Sequence, residues 1–400
     1  MTMTETGRRV APPLPPERRR GHLGGLSVAQ LVCVEVAVVA VLASLGGPFW
    51  ALPAAAVLAV ILLVLAFARR KSRWWFEHRV VNRRFKERAR AAAFRPDREL
   101  AALAPDLAVT EIRERGTPIG VGRDEMGWFV ALAVNAGNDS VTDAGLGLDR
   151  VGRILAESAL PVSALQVVSH IVPAPTSFLE HSSPAVQSYR ELLGGLPIPA
   201  DSRVWVAARL RPADALAASA SRGGGPEGVH KALAALLGRI GKTLDSAGFV
   251  SQPLTATELT AAVATVAGLS GAAVTGGGPA PAQPVQQVQR ENWAGWQGTE
   301  AVHVGFLATR VSPAGLAVAA RRLTEVGALS ATVAVVLNRQ QDGDLRMQAI
   351  VDVAARAGNA AETLTAVVGV FQQSGIQLRR LDGQHAAAIY ATAPTGGAIG

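Results

Sequence analysis

The sequence has a single cysteine, Cys33, so it cannot build a disulfide framework or a cysteine-rich zinc site. Its seven histidines never fall in a His-x-x-x-His or His-Glu-x-x-His pattern, which excludes a zincin. Gly241-Lys242-Thr243 resembles the end of a phosphate-binding loop, but the required glycine five residues earlier is Leu236. The segment also reads as the middle of an amphipathic helix rather than a strand-to-helix loop. Gly268-Leu269-Ser270-Gly271 lacks the final glycine of a nucleophile elbow, having Ala272 there. Gly120-Val121-Gly122 is followed by Glu125 where a dinucleotide fingerprint needs glycine. No catalytic, cofactor-binding or metal site is therefore expected.

Two long apolar runs dominate what is present. Residues 26–45 contain one charge, Glu35, and residues 51–68 contain none. Gly46-Gly47-Pro48-Phe49-Trp50 separates them. About 20 apolar residues in a helix span the ~30 Å hydrocarbon core, so the pair reads as a transmembrane hairpin over 26–70. Arg18-Arg19-Arg20 precede it and Arg69-Arg70-Lys71 with Arg73 follow it. Basic flanks stay inside, so both termini are expected in the cytoplasm of an inner-membrane, multi-pass protein. A cleaved signal peptide fits less well, because the first run exceeds the usual length and a second follows at once.

The net charge of +8 is unevenly spread. Residues 1–98 hold 17 basic and 6 acidic side chains, and residues 99–400 hold 22 and 25. The folded part is thus weakly acidic, which argues against nucleic acid as a partner. Residues 1–25 read as a disordered tail. Residues 71–98 read as a basic helix leaving the membrane, with Trp74, Trp75 and Phe76 at headgroup depth and Arg79, Arg83, Arg84 and Arg88 beyond them. That helix faces either lipid headgroups and solvent or a partner. An ionised Glu35 at mid-membrane would cost roughly 2.5–3.5 kcal/mol. A proton relay is one reading; packing against another helix, or beside Ser44 or Gln30, is favoured because no second intramembrane charge accompanies it.

Beyond residue 98, strands and helices alternate. Strands are expected at 109–115, 128–135, 164–172, 203–210, 301–310, 330–337, 345–353, 377–381 and 387–391. Helices are expected at 149–160, 229–247, 256–269, 314–326 and around 364–371. Residues 99–270 and 293–394 form two α/β units joined by a Gly/Pro/Gln-rich linker at 271–292, with 395–400 as a tail. The second unit follows a β-α-β-β-α-β plan and the first is a diverged version of it. Asp342-Gly343-Asp344 has the form by which glycosyltransferases hold a divalent ion, although Asp-Gly between strands is first of all a hairpin turn.

Two stretches of the C-terminal third carry a family resemblance. They are Asn292-Trp293-Ala294-Gly295-Trp296-Gln297-Gly298, followed by a strand with His303, and Arg379-Arg380-Leu381-Asp382-Gly383-Gln384-His385 with Tyr390-Ala391-Thr392-Ala393-Pro394. Together with the plan of tail, two spans, basic exit segment and mixed α/β domain, they resemble the EccE subunits of actinobacterial type VII secretion systems. The resemblance implies a non-catalytic structural subunit of an inner-membrane secretion complex and a degenerate glycosyltransferase-like fold. It also implies EccB, EccC and EccD types as partners, with the mycosin protease as a further one. The alternatives are a membrane-anchored glycosyltransferase using Asp342 and Asp344 with a metal, and a membrane-tied sensor or scaffold.

Overall fold

The structure, a computed structural model, describes residues 22–23, 26–67, 69–70, 73–93, 100, 103–136, 162–173, 184–192, 200–269, 290–298, 301–339 and 345–397. The expected helix at 149–160, the linker at 271–289 and the Asp342/Asp344 pair lie outside these residues. The chain divides into two compact units, residues 17–94 and 95–399.

The N-terminal unit holds three helices: α1 (Val28–Ser44), α2 (Ala51–Phe67) and α3 (Trp75–Ala93). The glycines and proline of 46–48 end α1, and α2 folds back against it. Among the described residues no helix is long and apolar enough to cross a membrane. Each of α1 and α2 runs 17 residues, about 25 Å, against a hydrocarbon core of ~30 Å. The expected spans 26–45 and 51–68 are therefore shorter as helices than as apolar runs. Both still expose large apolar side chains, including Leu31, Val38, Leu42, Val57, Ile61 and Val64.

The C-terminal unit is built on one twelve-stranded sheet. Its first half supplies β1 (Ala108–Glu114), β2 (Thr117–Asp124), β3 (Gly127–Ala136), β4 (Ala164–Val172), helix α4 (Pro184–Leu192), β5 (Asp201–Leu210), helices α5 (Pro212–Ala220) and α6 (Gly225–Ser246), β6 (Phe249–Pro253) and helix α7 (Ala256–Val266). Its second half supplies β7 (Arg290–Asn292), β8 (Gly295–Gln297), β9 (Ala301–Thr309), helix α8 (Pro313–Leu323), β10 (Ser330–Arg339), β11 (Leu345–Arg356), helix α9 (Ala360–Gln373), β12 (Gln377–Arg380) and helix α10 (His385–Thr392). The strand order is β7-β8-β9-β11-β10-β4-β5-β3-β2-β1. In addition β6 pairs with β3 and β12 with β9.

Each half places its strands alike. One edge of β3 is shared between β2 and β6, just as one edge of β9 is shared between β8 and β12. At the break, Leu254 N–H donates to the Ala131 carbonyl at 3.0 Å and Leu381 N–H to the Gly305 carbonyl at 2.9 Å. The second half follows the expected β-α-β-β-α-β course after its hairpin β7–β8, and the first repeats its strand pattern with helices α4 and α5 added. Every ladder is antiparallel. A glycosyltransferase-like plan, expected from the resemblance, would need parallel strands ending at a switch point; this sheet has none among the described residues.

Alternation along the strands sets two cores. Helices α5, α6, α8 and α9 cover one face, with Leu233, Leu236, Leu237 and Ile240 of α6 fully buried on it. Helices α7 and α10 cover the other. Helix α7 starts with a capping box of Thr255 and Glu258. The hairpin β1–β2 turns at Arg115 (φ +51°) and Gly116 (φ +86°), two left-handed residues as a two-residue turn requires.

One element differs in kind from its expectation. Residues 387–391, expected as a closing strand, lie within helix α10. The run Ala386-Ala387-Ala388 favours helix, and burial falls at His385 and Ala386, Ala388 and Ile389, Ala391 and Thr392, the spacing of a helical face. Strand β2, hairpin β7–β8, α4, α5 and β6 are additions that the apolar periodicity did not mark, whereas β1 falls at the expected 109–115 within a residue.

Helix α10 lies so close to β9 that a Cβ on Gly305 would fall 2.3 Å from Ala388 Cβ. Gly305→Ala is expected to push α10 off the sheet and cost about 1–3 kcal/mol. The lowered unfolding temperature of the purified protein in detergent checks this; an unchanged one would mean that α10 yields freely.

Candidate functional site

The sheet face beneath α7 and α10 carries a run of buried polar side chains. Register sets their order: Gly305 lies opposite Asp352, Asp352 opposite Thr332, Thr332 opposite His170 and His170 opposite Arg203. His303 Nδ1 bonds Asp352 Oδ2 at 2.7 Å, both side chains being 1% exposed. His170 Nδ1 lies 2.8 Å from Thr332 Oγ1. Gly305 N–H donates to His385 Nδ1 at 3.1 Å, filling the strand-edge position that neither β8 nor β12 reaches. That bond fixes the His385 proton on Nε2, which sits 3.9 Å from the Asp382 carboxylate.

A second cluster lies on the same face. Arg209 of β5, 2% exposed, grips Asp124 with Nη1–Oδ1 at 2.5 Å and Nη2–Oδ2 at 2.7 Å. Tyr390 of α10 donates its hydroxyl to Asp124 Oδ2 at 2.7 Å, and Met126 N–H donates to Oδ1 at 2.8 Å. Arg209 Nε donates to the Thr395 carbonyl at 2.8 Å, and its guanidinium stacks over Phe129. Gln166 binds the same C-terminal segment twice, donating to the Ala391 carbonyl at 2.7 Å and accepting from Gly396 N–H at 2.6 Å. Residues 395–397, read from the sequence as part of a tail, are buried by these bonds.

The electrostatics follow from burial and pairing. Burial pulls the Asp124 carboxyl upward, but the hydrogen bonds and charge of Arg209, with Tyr390 and Met126, hold it below its ordinary value. Burial first, and then the Asp124 carboxylate, push the Tyr390 hydroxyl up. Burial, and then Arg203, push His170 down to about 4. Burial, and then Arg380, push His385 down to about 4 as well.

The His303–Asp352 pair has the form of a general base with its orienting carboxylate. However, both groups are sealed: a Cβ on Gly268, just past α7, would lie 2.5 Å from His303 Nε2. A general base must come within hydrogen-bond reach of the proton it takes, and here the helix layer fills that approach. Among the described residues no group of three or more His, Cys, Asp or Glu is placed to hold a metal ion. In this arrangement the polar groups fasten α10 and the C-terminal segment to the sheet.

The two stretches that carry the family resemblance meet here. Gly383 N–H donates to the Trp293 carbonyl at 2.9 Å, and Arg380 donates to the Ala294 carbonyl. Ala386 N–H donates to Glu291 at 3.1 Å. A Cβ on Gly383 would strike the Trp293 ring at 2.5 Å. The hairpin β7–β8 and the segment 379–385, some 90 residues apart, thus form one contact surface. Residues 198–308, from the approach to β5 through β9, match the family described as "Putative type VII ESX secretion system translocon, EccE". The family is EccE. This is the family that the motifs suggested, and the match includes Arg209, α6, α7 and the β7–β8 hairpin. The stretch 379–394 lies outside it. No curated protein matches the chain.

The residues singled out from the sequence sit elsewhere, in the N-terminal unit. Glu35 is exposed on α1. Trp74 pairs with Arg69 in a two-residue ladder, and Trp75 and Phe76 open α3. Arg79, Arg83 and Arg84 are exposed and Arg88 is half-buried; Arg83 Nε bonds Glu87 at 3.0 Å, one helical turn on. Sequence reasoning missed Asp124, Gln166, Arg209, His170 and Asp352. A charged residue inside an otherwise apolar strand, as Arg209 is in Val204–Leu210, was the available signal.

Arg209→Ala in this EccE-like chain would leave Asp124 buried without its cation. The expected cost is about 3–5 kcal/mol, with Arg209→Met/Asp124→Leu recovering most of it. Urea unfolding of the three proteins checks this, and equal loss in the single and double variants would contradict it. The histidines give a pH dependence. His170 and His385 stay neutral when folded but take protons near 6.5 when unfolded, so stability is full above about pH 6.5 and falls as pH drops toward about 4. The loss approaches ~3 kcal/mol per histidine by the lower limit. The unfolding midpoint, followed from pH 7.5 to 5, should fall, and the fall should shrink in a His170→Asn variant.

Proposed function

We propose that this protein is a non-catalytic structural subunit of an inner-membrane type VII secretion complex. The match of residues 198–308 to EccE carries this reading. The sealed histidine and aspartate groups favour a structural role for the folded unit.

Helices α1 and α2 act as its membrane anchor, and both termini are cytoplasmic. Their exposed apolar side chains and the lack of charge in the 46–50 turn support this. Their shortfall against the ~30 Å core is a mismatch of a few Å, which a bilayer meets by local thinning at fractions of a kcal/mol per Å. Arg69, Arg70, Lys71 and Arg73 then lie at the cytoplasmic headgroups, attracted to anionic lipid at about 1 kcal/mol each. Trp74, Trp75 and Phe76 fill the interface, and Arg79, Arg83, Arg84 and Arg88 of α3 extend over lipid or an acidic partner. The partners are the EccB, EccC and EccD types of subunit, with the mycosin protease as a further one.

Membranes solubilised gently should yield the protein in an assembly far larger than its 41.4 kDa, with those subunits identified by mass spectrometry on a native gel. Replacing Arg79, Arg83, Arg84 and Arg88 with Gln should leave the protein in the membrane fraction but loosen it from the assembly. The loss should grow with salt, since exposed attraction is screened over about 8–10 Å near physiological ionic strength. A protein that runs as a monomer in its native membranes would overturn the proposal.

A further inference from the structure

Helix α1 has two faces with different assignments. Its buried and half-buried residues Cys33, Val34, Ala37, Ala40, Val41 and Ser44 form one stripe, and α2 is the helix packed against it. From Leu31 on, the rest of α1 is uncovered: Glu35 is its one charge, beside the apolar Leu31, Val32, Val38, Val39, Leu42 and, just past the helix end, Leu45. All of these are exposed, the apolar members at 44–66%. Glu35 thus lies off the buried stripe, on an exposed and otherwise apolar side of α1.

We infer that this outer face of α1 docks a membrane helix of another subunit that carries a basic side chain opposite Glu35. The inference rests on the membrane anchoring proposed above. A carboxylate facing lipid is costly, and intramembrane acids pair with a partner instead. One polar residue at a core position of a helix–helix seam sets its register and partner. Neither α1 nor α2 contains a basic residue, so a second copy of this hairpin brings no cation to Glu35. It would bring another carboxylate, and two such groups in contact cannot both ionise. Charge complementarity therefore selects a different chain, one with Arg, Lys or His at mid-membrane.

The test uses the full-length protein expressed with its native secretion complex. Carbonate washing of the membranes comes first. Retention of wild type and variants in the pellet upholds the anchoring, whereas release of wild type overturns the anchoring and this docking with it. With anchoring upheld, Glu35→Gln and Glu35→Leu should lower the yield of copurified subunits at least tenfold, while Glu35→Asp, which keeps the charge, should stay within about threefold of wild type. A photoreactive amino acid in place of Leu42 should crosslink to a membrane-helix peptide of another subunit, identified by mass spectrometry and containing Arg, Lys or His. Wild-type yield in Glu35→Gln, a crosslink to a second copy of this chain, or a crosslink to a helix without a basic residue would each overturn the proposal.

Discussion

The folded unit depends on the antiparallel ladder between β4 and β10. Eight facing pairs, from Ala331 with Ile171 to Asn338 with Ala164, join strands that would otherwise be the exposed edges of two smaller sheets. Unpaired edges invite aggregation; here each half covers the other. The apolar members of the ladder, Leu165, Ile171, Ala331, Ala334, Val336 and Leu337, are almost wholly buried. Because the ladder is continuous, helices from both halves rest on one surface, and α7 and α10 lie on the same face. The polar groups beneath them can then bond across the halves: His170 of the first to Thr332 of the second, and Asp124 of the first to Tyr390 of the second.

These cross-links give the unit a specific register rather than a large gain in energy. A buried ion pair roughly repays its own desolvation, so Arg209 and Asp124 add little net stability as a pair. What they add is a penalty for any arrangement in which α10 or the C-terminal segment fails to seat. The His385 bond to Gly305 acts similarly, since it satisfies a strand-edge N–H that would otherwise be buried without a partner.

Much of this fold was legible in the sequence because the strands are apolar and their alternation is strong. Ala164–Val172 was placed residue for residue, and β3, β5, β9, β10 and β11 within a few residues. The short edge elements were not legible. Strands β7 and β8 have three residues each, too few for a period to show, and β2 carries two glycines and a proline. Helix α10 was misread because alanine fits both periods and only its packing decides between them. The polar network was hidden for a different reason. Its members come from elements up to 266 residues apart, and no local spacing signals a pairing that the tertiary fold alone creates. The EccE resemblance was legible as local motifs, and the one at 292–298 lies within the matched residues.

The binding of Thr395 and Gly396 by Arg209 and Gln166 has a consequence for synthesis. These contacts span 186 and 230 residues of chain, and contacts of such long range slow folding. During translation β4 and β5 leave the ribosome well before the segment that satisfies their buried guanidinium and amide. Until then that face of the sheet stays open, with Arg209 and Gln166 short of partners. The hydrophobic helices α1 and α2 emerge much earlier. These helices are therefore made before the folded unit can close, and its closing waits for residues 395–397.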